Sequence, residues 1–259
     1  MTRGGLRAFV PGMLVAATGV GAGDLATSAL AGSATGVALL WAIVLGCAMK
    51  FLLTEGIARC QLAAGESVLH AALRRVPRAL GVVLAAYFVA WMFLVAAALM
   101  SASGVVLHAC APLLADPVHD KILYGAAASL AGLWLVRRGG FAWFERAMAA
   151  CTAAMAFAVV GCAIALAPDW SAVLRGLFVP AVPGGEGASW AIALIGGIGG
   201  TVTMLCYGYW IAAKGRTGPE DLPLCRLDLA AAYAMTALFG IGMVVVGSGL
   251  HFSGEGGGA

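Results

Sequence analysis

The amino-acid sequence predicts an all-α integral membrane protein, a helical bundle whose first and sixth spans are discontinuous. Composition, apolar run length and glycine placement predict it together. Of the 259 residues, 62% are hydrophobic and 10% charged, with a mean hydropathy of +0.98, whereas a soluble domain carries about 25% charged residues. Seven apolar stretches run roughly over 8–32, 37–61, 79–108, 122–137, 143–167, 188–213 and 228–250, and a helix needs ~20 such residues to cross a bilayer core. None shows the apolar–polar alternation of the ~10-residue strands of a membrane β-barrel. Glycine clusters interrupt the first and sixth stretches at mid-depth.

The first span contains Gly19-Val-Gly-Ala-Gly-Asp24. Each glycine disfavours helix by about 1 kcal/mol relative to alanine, and a carboxylate at mid-bilayer costs several more. Both at one depth predict irregular backbone facing protein or water, with Asp24 at the edge of an unwound segment. A packing face of the GxxxG type, Gly19 to Gly23, explains the glycines but not the carboxylate. Arg3 and Arg7 followed by an apolar run have the look of a signal peptide. The run continues past Asp24 and lacks a well-formed cleavage motif, so the segment is expected to be retained.

The second span carries Lys50, Glu55 and Arg59. Glu55 and Arg59 have the i,i+4 spacing of a helical ion pair; Lys50 does not, and needs another partner. Residues 66–78, with His70, Arg74, Arg75 and Arg78, read either as a short amphipathic surface helix or as a basic loop that sets topology. The third span has no acidic residue from Leu84 to Gly104. Residues 111–121 read as a turn region holding two prolines, and His108 and His119 beside it as interfacial. A turn bearing Arg137 and Arg138 separates the fourth and fifth spans, and Glu145 and Arg146 start the fifth. A proline-rich loop, 168–187, precedes the sixth. There Gly196-Gly-Ile-Gly-Gly200 interrupts the helix, and Thr201 and Thr203 follow with hydroxyls that can satisfy released carbonyls. Neither glycine cluster is a dinucleotide fingerprint, which must follow a strand and open a soluble βαβ unit. The seventh span ends in a Gly-rich tail, 253–259, expected to be flexible.

Charge placement predicts orientation. Arg3 and Arg7, then Arg59, Arg74, Arg75 and Arg78, then Arg137, Arg138 and Arg146, then Lys214, Arg216 and Arg226 fall in one set of loops; the other set holds Lys121 and Arg175. Lys and Arg favour the cytoplasmic side, so the amino terminus is expected inside and the carboxyl terminus outside, in a bacterial inner (plasma) membrane. The seven cysteines form no CxxC pair and read as small apolar fillers. No nucleophile–base or metalloprotease spacing occurs, so an enzyme is not expected.

Two glycine-broken spans five elements apart point to an inverted-repeat transporter with a midplane site. At these residues the chain resembles the natural resistance-associated macrophage protein (Nramp) family of divalent metal-ion transporters, which have the leucine-transporter-type fold. Pro11-Gly-Met-Leu-Val-Ala-Ala-Thr-Gly19 with Leu25-Ala-Thr-Ser-Ala-Leu-Ala-Gly32 resembles that family's first helix, Gly65-Glu-Ser67 its second-helix ending and Gly199-Gly-Thr-Val-Thr203 its sixth helix. The resemblance implies a secondary transporter of metal cations, with the ion held between the broken spans. The family's Asp-Pro-Gly-Asn motif falls on Gly21-Ala-Gly-Asp24 and its Met-Pro-His motif on Thr203-Met-Leu205. The implied ligands are therefore Gly21, Asp24, the carbonyl of Gly200, and Thr203, with Met204 as a one-residue-shifted alternative to Thr203. The departures leave one carboxylate and mostly oxygen donors, which suit hard ions such as Mg²⁺, Ca²⁺ or Mn²⁺. With no acid in the third span, proton coupling is expected to be weak or absent.

The expected partners are a metal cation, as substrate rather than cofactor, and the lipid bilayer; no nucleic acid is expected. The resemblance implies ten core helices where seven spans are read, so the chain is expected to be a truncated form or to be completed by a further chain. The competing readings are an organic-substrate, amino-acid-type permease of the same fold and an incomplete, non-transporting membrane subunit. Asp24 would repel the carboxylate of an amino acid, which counts against the first.

Overall fold

The computed structural model describes residues 20–166, 168–200 and 202–250, and among them every regular element is helical. The chain forms two compact units, one built from residues up to Val68 together with those from Met148 onward, the other from Leu69–Ala147. A single transmembrane domain was expected from the sequence.

In the first unit α1 spans Ala22–Thr35 and α2 Leu40–Ala64. Glycine ends α2: Gly65 adopts φ +69° and its N–H closes on the Gln61 carbonyl at 2.8 Å, the left-handed C-cap that terminates many helices. After the residues of α5 described below come α6, Trp170–Phe178, and α7, Gly187–Gly197. A 3₁₀ turn, Val202–Leu205, leads into α8, Cys206–Ala213; a second, Pro219–Asp221, leads into α9, Leu222–Ser248. Asp169 caps α6 by accepting the Ser171 N–H at 2.9 Å.

α9 packs along α1 and α2, and α7 packs against the same pair. Leu40 and Ile43 of α2, Leu194 of α7, Ile211 of α8 and Leu229 and Val244 of α9 close the core between them, all but inaccessible. Small residues set the spacing. A Cβ on Gly32 would lie 2.2 Å from the Val244 carbonyl, and one on Gly247 would lie 2.1 Å from that of Ala29, so α1 and α9 meet backbone to backbone. Such close approach is how helices associate where lipid removes the hydrophobic drive.

The second unit holds α3, Val68–Arg75, α4, Arg78–Cys110, and the first part of α5, Pro117–Ala165. The segment left open between amphipathic helix and basic loop is thus helical over Val68–Arg75. α4 and α5 also meet at glycines: a Cβ on Gly104 would lie 2.2 Å from the Lys121 carbonyl. His108 and Asp120 join their ends, with Nδ1 to Oδ2 at 2.6 Å. Apolar side chains along α4 stand exposed, Phe93 by 73%, as a lipid-facing surface requires.

Five helices among the described residues are long and apolar enough to cross a bilayer: Leu40–Ala64, Arg78–Cys110, Arg146–Ala165, Gly187–Ala213 and Pro219–Ser248. In chain order they overlap the apolar stretches at 37–61, 79–108, 143–167, 188–213 and 228–250. The opening part of the first span, up to residue 19, and the expected flexible tail, 253–259, lie outside the described residues. Between the expected fourth and fifth spans the backbone differs from the reading of the sequence. The turn expected at Arg137 and Arg138 is absent, and α5 is helical throughout its 49 residues. Only Gly139 and Gly140 oppose helix there, at about 1 kcal/mol each, amid Ala, Arg, Glu and Met residues that favour it.

Candidate functional site

The described part of the first span starts its helix at the glycine cluster. Gly21 is extended (φ −95°, ψ 171°), α1 begins at Ala22, and Asp24 sits in the opening turn. The Asp24 carboxylate turns back to accept the Gly21 N–H at 3.0 Å. A carboxylate in a first turn satisfies an amide that has no helical partner and meets the positive end of the helix dipole. Asp24 is only half-buried, so one edge of it stays available.

The sixth span breaks where its glycines predict. α7 stops at Gly197, Ile198 is extended, and Gly199 and Gly200 take φ +82° and +67°. Two successive left-handed residues cost L side chains roughly 1–2 kcal/mol each and glycine almost nothing. The 3₁₀ turn Val202–Leu205 then feeds α8. Unwinding leaves the last carbonyls of α7 without amide partners.

Lys50 of α2 answers them. Its ammonium donates to the carbonyls of Gly196 at 2.9 Å, of Gly197 at 3.1 Å, and of Ile198 by a still shorter contact. Lys50 is 5% exposed. Its stem runs beside Gly199, where an added Cβ would lie 3.5 Å from Lys50 Cδ and 3.4 Å from the Tyr233 ring. Tyr233 Oη lies 2.7 Å from Thr54 Oγ1, one turn beyond Lys50 on α2. Asp24 reaches the same turn, its Oδ1 3.9 Å from where a Gly197 Cβ would stand. The start of α1 and the break of the sixth span therefore meet at Gly197, with a carboxylate and an ammonium converging on it.

Of the residues singled out in the sequence, Asp24 and Gly21 are joined directly, and Gly200 forms the second left-handed residue of the break. Thr203 and Met204 lie in the 3₁₀ turn, half-buried, and among the described residues no hydrogen bond ties either to Asp24. No cluster of three or more His, Cys, Asp or Glu side chains suited to a metal occurs among the described residues. The oxygens that the described residues bring to this junction are the Asp24 carboxylate and the carbonyls of Gly196, Gly197 and Ile198.

Sequence reasoning missed the partner of Lys50. The signal was present: a lysine in a span without an acidic neighbour at helical spacing, and a glycine-broken helix whose carbonyls need donors. The expected Glu55–Arg59 pair forms at 2.7 Å, and Arg226 of α9 joins it at 2.8 Å.

The sequence profile of the family described as natural resistance-associated macrophage protein-like matches residues 12–257. Among curated proteins, the chain is similar to the divalent metal cation transporter MntH of Bacillus subtilis (strain 168), 28% identical over 264 residues that cover 96% of this chain and 59% of that protein. Among solved structures, it is similar to two variants of the manganese transporter of Eremococcus coleocola, each at a TM-score of 0.74. The identities are 20% and 21%, over 93% of this chain and 51% of theirs. The chain thus spans between about half and three-fifths of the length of these proteins.

Proposed function

The chain belongs to the natural resistance-associated macrophage protein-like family, and on that footing we propose that it acts in moving a hard divalent cation across a membrane. It is an all-α membrane protein with a partial leucine-transporter-type fold, as its likeness to a manganese transporter shows. The observation that carries the functional reading is the meeting of the start of α1 with the broken sixth span at Gly197, with the Asp24 carboxylate facing the junction. A charged oxygen at such a depth is costly unless it serves an ion, and transporters of this architecture hold their substrates where two discontinuous helices meet.

In this reading Asp24 supplies the charge, while the carbonyl of Gly200 and the hydroxyl of Thr203 supply neutral oxygens. Gly21 stands where the family's liganding aspartate falls, and Met204 is the one-residue-shifted alternative to Thr203, a soft thioether. Oxygen donors favour Mg²⁺, Ca²⁺ or Mn²⁺ over softer ions. Rocking of the helices around this fixed point would expose the ion to each side in turn. The loop charges support an amino terminus on the cytoplasmic side of a bacterial inner membrane. Family membership favours this reading over an amino-acid-type permease or a subunit that transports nothing.

Uptake of Mn²⁺ and Mg²⁺ into proteoliposomes carrying the chain tests the proposal. Uptake is expected with the wild type and is expected to fall at least tenfold with Asp24→Ala. Equal uptake by both would remove Asp24 from the path.

A further inference from the structure

We propose that the Lys50 ammonium is a tethered cation that competes with the transported ion for the carbonyls at the broken end of α7. The inference rests on the reading of Asp24 as a cation site and adds what limits that site.

A lysine ammonium has three donors and no acceptor. Here all three face carbonyls, those of Gly196, Gly197 and Ile198. These are the terminal carbonyls of a half-helix, the negative end of its dipole, aimed into the gap that unwinding opens. Ends of this kind coordinate cations in transporters built from broken helices, so the seat suits a metal and is filled by a side chain. The arrangement is built rather than incidental. Lys50 comes from α2, not from the broken span, and is 5% exposed. The stem packs beside Gly199, 3.5 Å from where a Cβ there would stand, with Tyr233 of α9 on the other flank.

Charge gives the arrangement its consequence. Asp24 of α1 is the carboxylate that reaches this turn, and Lys50 offsets it within the same junction. A divalent cation approaching Asp24 while the ammonium is seated meets a site of no net charge. Once the ammonium withdraws, the same ion meets one negative charge and three unsatisfied carbonyls. Ion binding and Lys50 seating therefore oppose one another, and the lysine holds affinity down and lets the ion leave. Simple capping of α7 would produce the same hydrogen bonds without the competition, and experiment separates the two.

The full chain in detergent is titrated with Mn²⁺ and with Mg²⁺, comparing wild type, Lys50→Gln, Lys50→Met and Asp24→Ala. Lys50→Gln keeps donors for the carbonyls while removing the charge. It is expected to bind at least tenfold more tightly than wild type, and Asp24→Ala is expected to lose binding. Equal or weaker binding by folded Lys50→Gln, with wild-type binding intact and lost in Asp24→Ala, would overturn the competition while leaving the cation site standing. Binding by none of the four, or binding that Asp24→Ala leaves unchanged, would overturn the cation site and this inference with it. A second measurement needs no substitution. In the wild type, labelling of Lys50 by an amine reagent, read by mass spectrometry against Lys121 and Lys214, is expected to rise at least fivefold at saturating Mn²⁺. A rate unmoved by bound metal would overturn the proposal.

Discussion

Arg216 Nη1 lies 3.0 Å from Asp228 Oδ2, and the two side chains are 5% and 0% exposed. Tyr207 Oη donates to the same carboxylate oxygen at 3.2 Å, so α8, the loop after it and α9 are fastened at one buried point. Removing one partner of a buried ion pair costs about 3–5 kcal/mol. Asp228→Asn is expected to destabilise the protein by about that much, read as unfolding in detergent. Arg216→Gln combined with Asp228→Asn is expected to recover part of the loss, since neither charge is then left alone.

The backbone contact of α1 with α9 sets a second expectation. Gly32→Ala places a methyl 2.2 Å from the Val244 carbonyl, which neither helix can accommodate without moving apart. Overpacking of this kind costs about 1–3 kcal/mol. Thermal unfolding is expected to show it, whereas Gly23→Ala, where the Cβ meets nothing within 4 Å, is expected to change little. Equal effects at the two positions would mean that α1 and α9 are not in contact at Gly32.

Acid sensitivity should appear at the cap of α6, outside the spans. The Ser171 hydroxyl and N–H, at 2.8 and 2.9 Å, hold the Asp169 carboxyl below the usual carboxylate value. A folded-state pKa below the unfolded one stabilises above the unfolded value, about 3.9 for aspartate, and that contribution is lost as pH falls through the folded value. Stability is therefore expected to decline below about pH 4 with a component that Asp169→Asn abolishes, because asparagine caps without titrating. An unchanged acid profile in that variant would show that the cap does not contribute.

Much of this was legible in the sequence, and what was not has physical reasons. Composition and run length gave the helical class, and Gly199 with Gly200 announced a break because no other residue takes two left-handed conformations in succession at little cost. Asp24 stood out because a lone carboxylate in an apolar run needs an explanation. The partner of Lys50 was hidden: Gly196 is 146 positions away, and backbone carbonyls carry no sequence signature. Arg226 joining Glu55 is hidden in the same way, 171 positions apart. The continuity of α5 was missed because Arg137 and Arg138 read as loop charges between two spans, while local helix propensity on both sides carries the backbone through.

The central claim is that the Asp24 carboxylate, where the start of α1 meets the broken sixth span, holds a divalent cation. Thermal unfolding of the purified chain across a titration of Mn²⁺ measures it most directly, because a ligand that binds the folded state alone raises stability by about 2.7 kcal/mol at a hundred times its dissociation constant. The wild type is expected to gain several degrees and Asp24→Ala none. A gain of equal size in both would contradict the account.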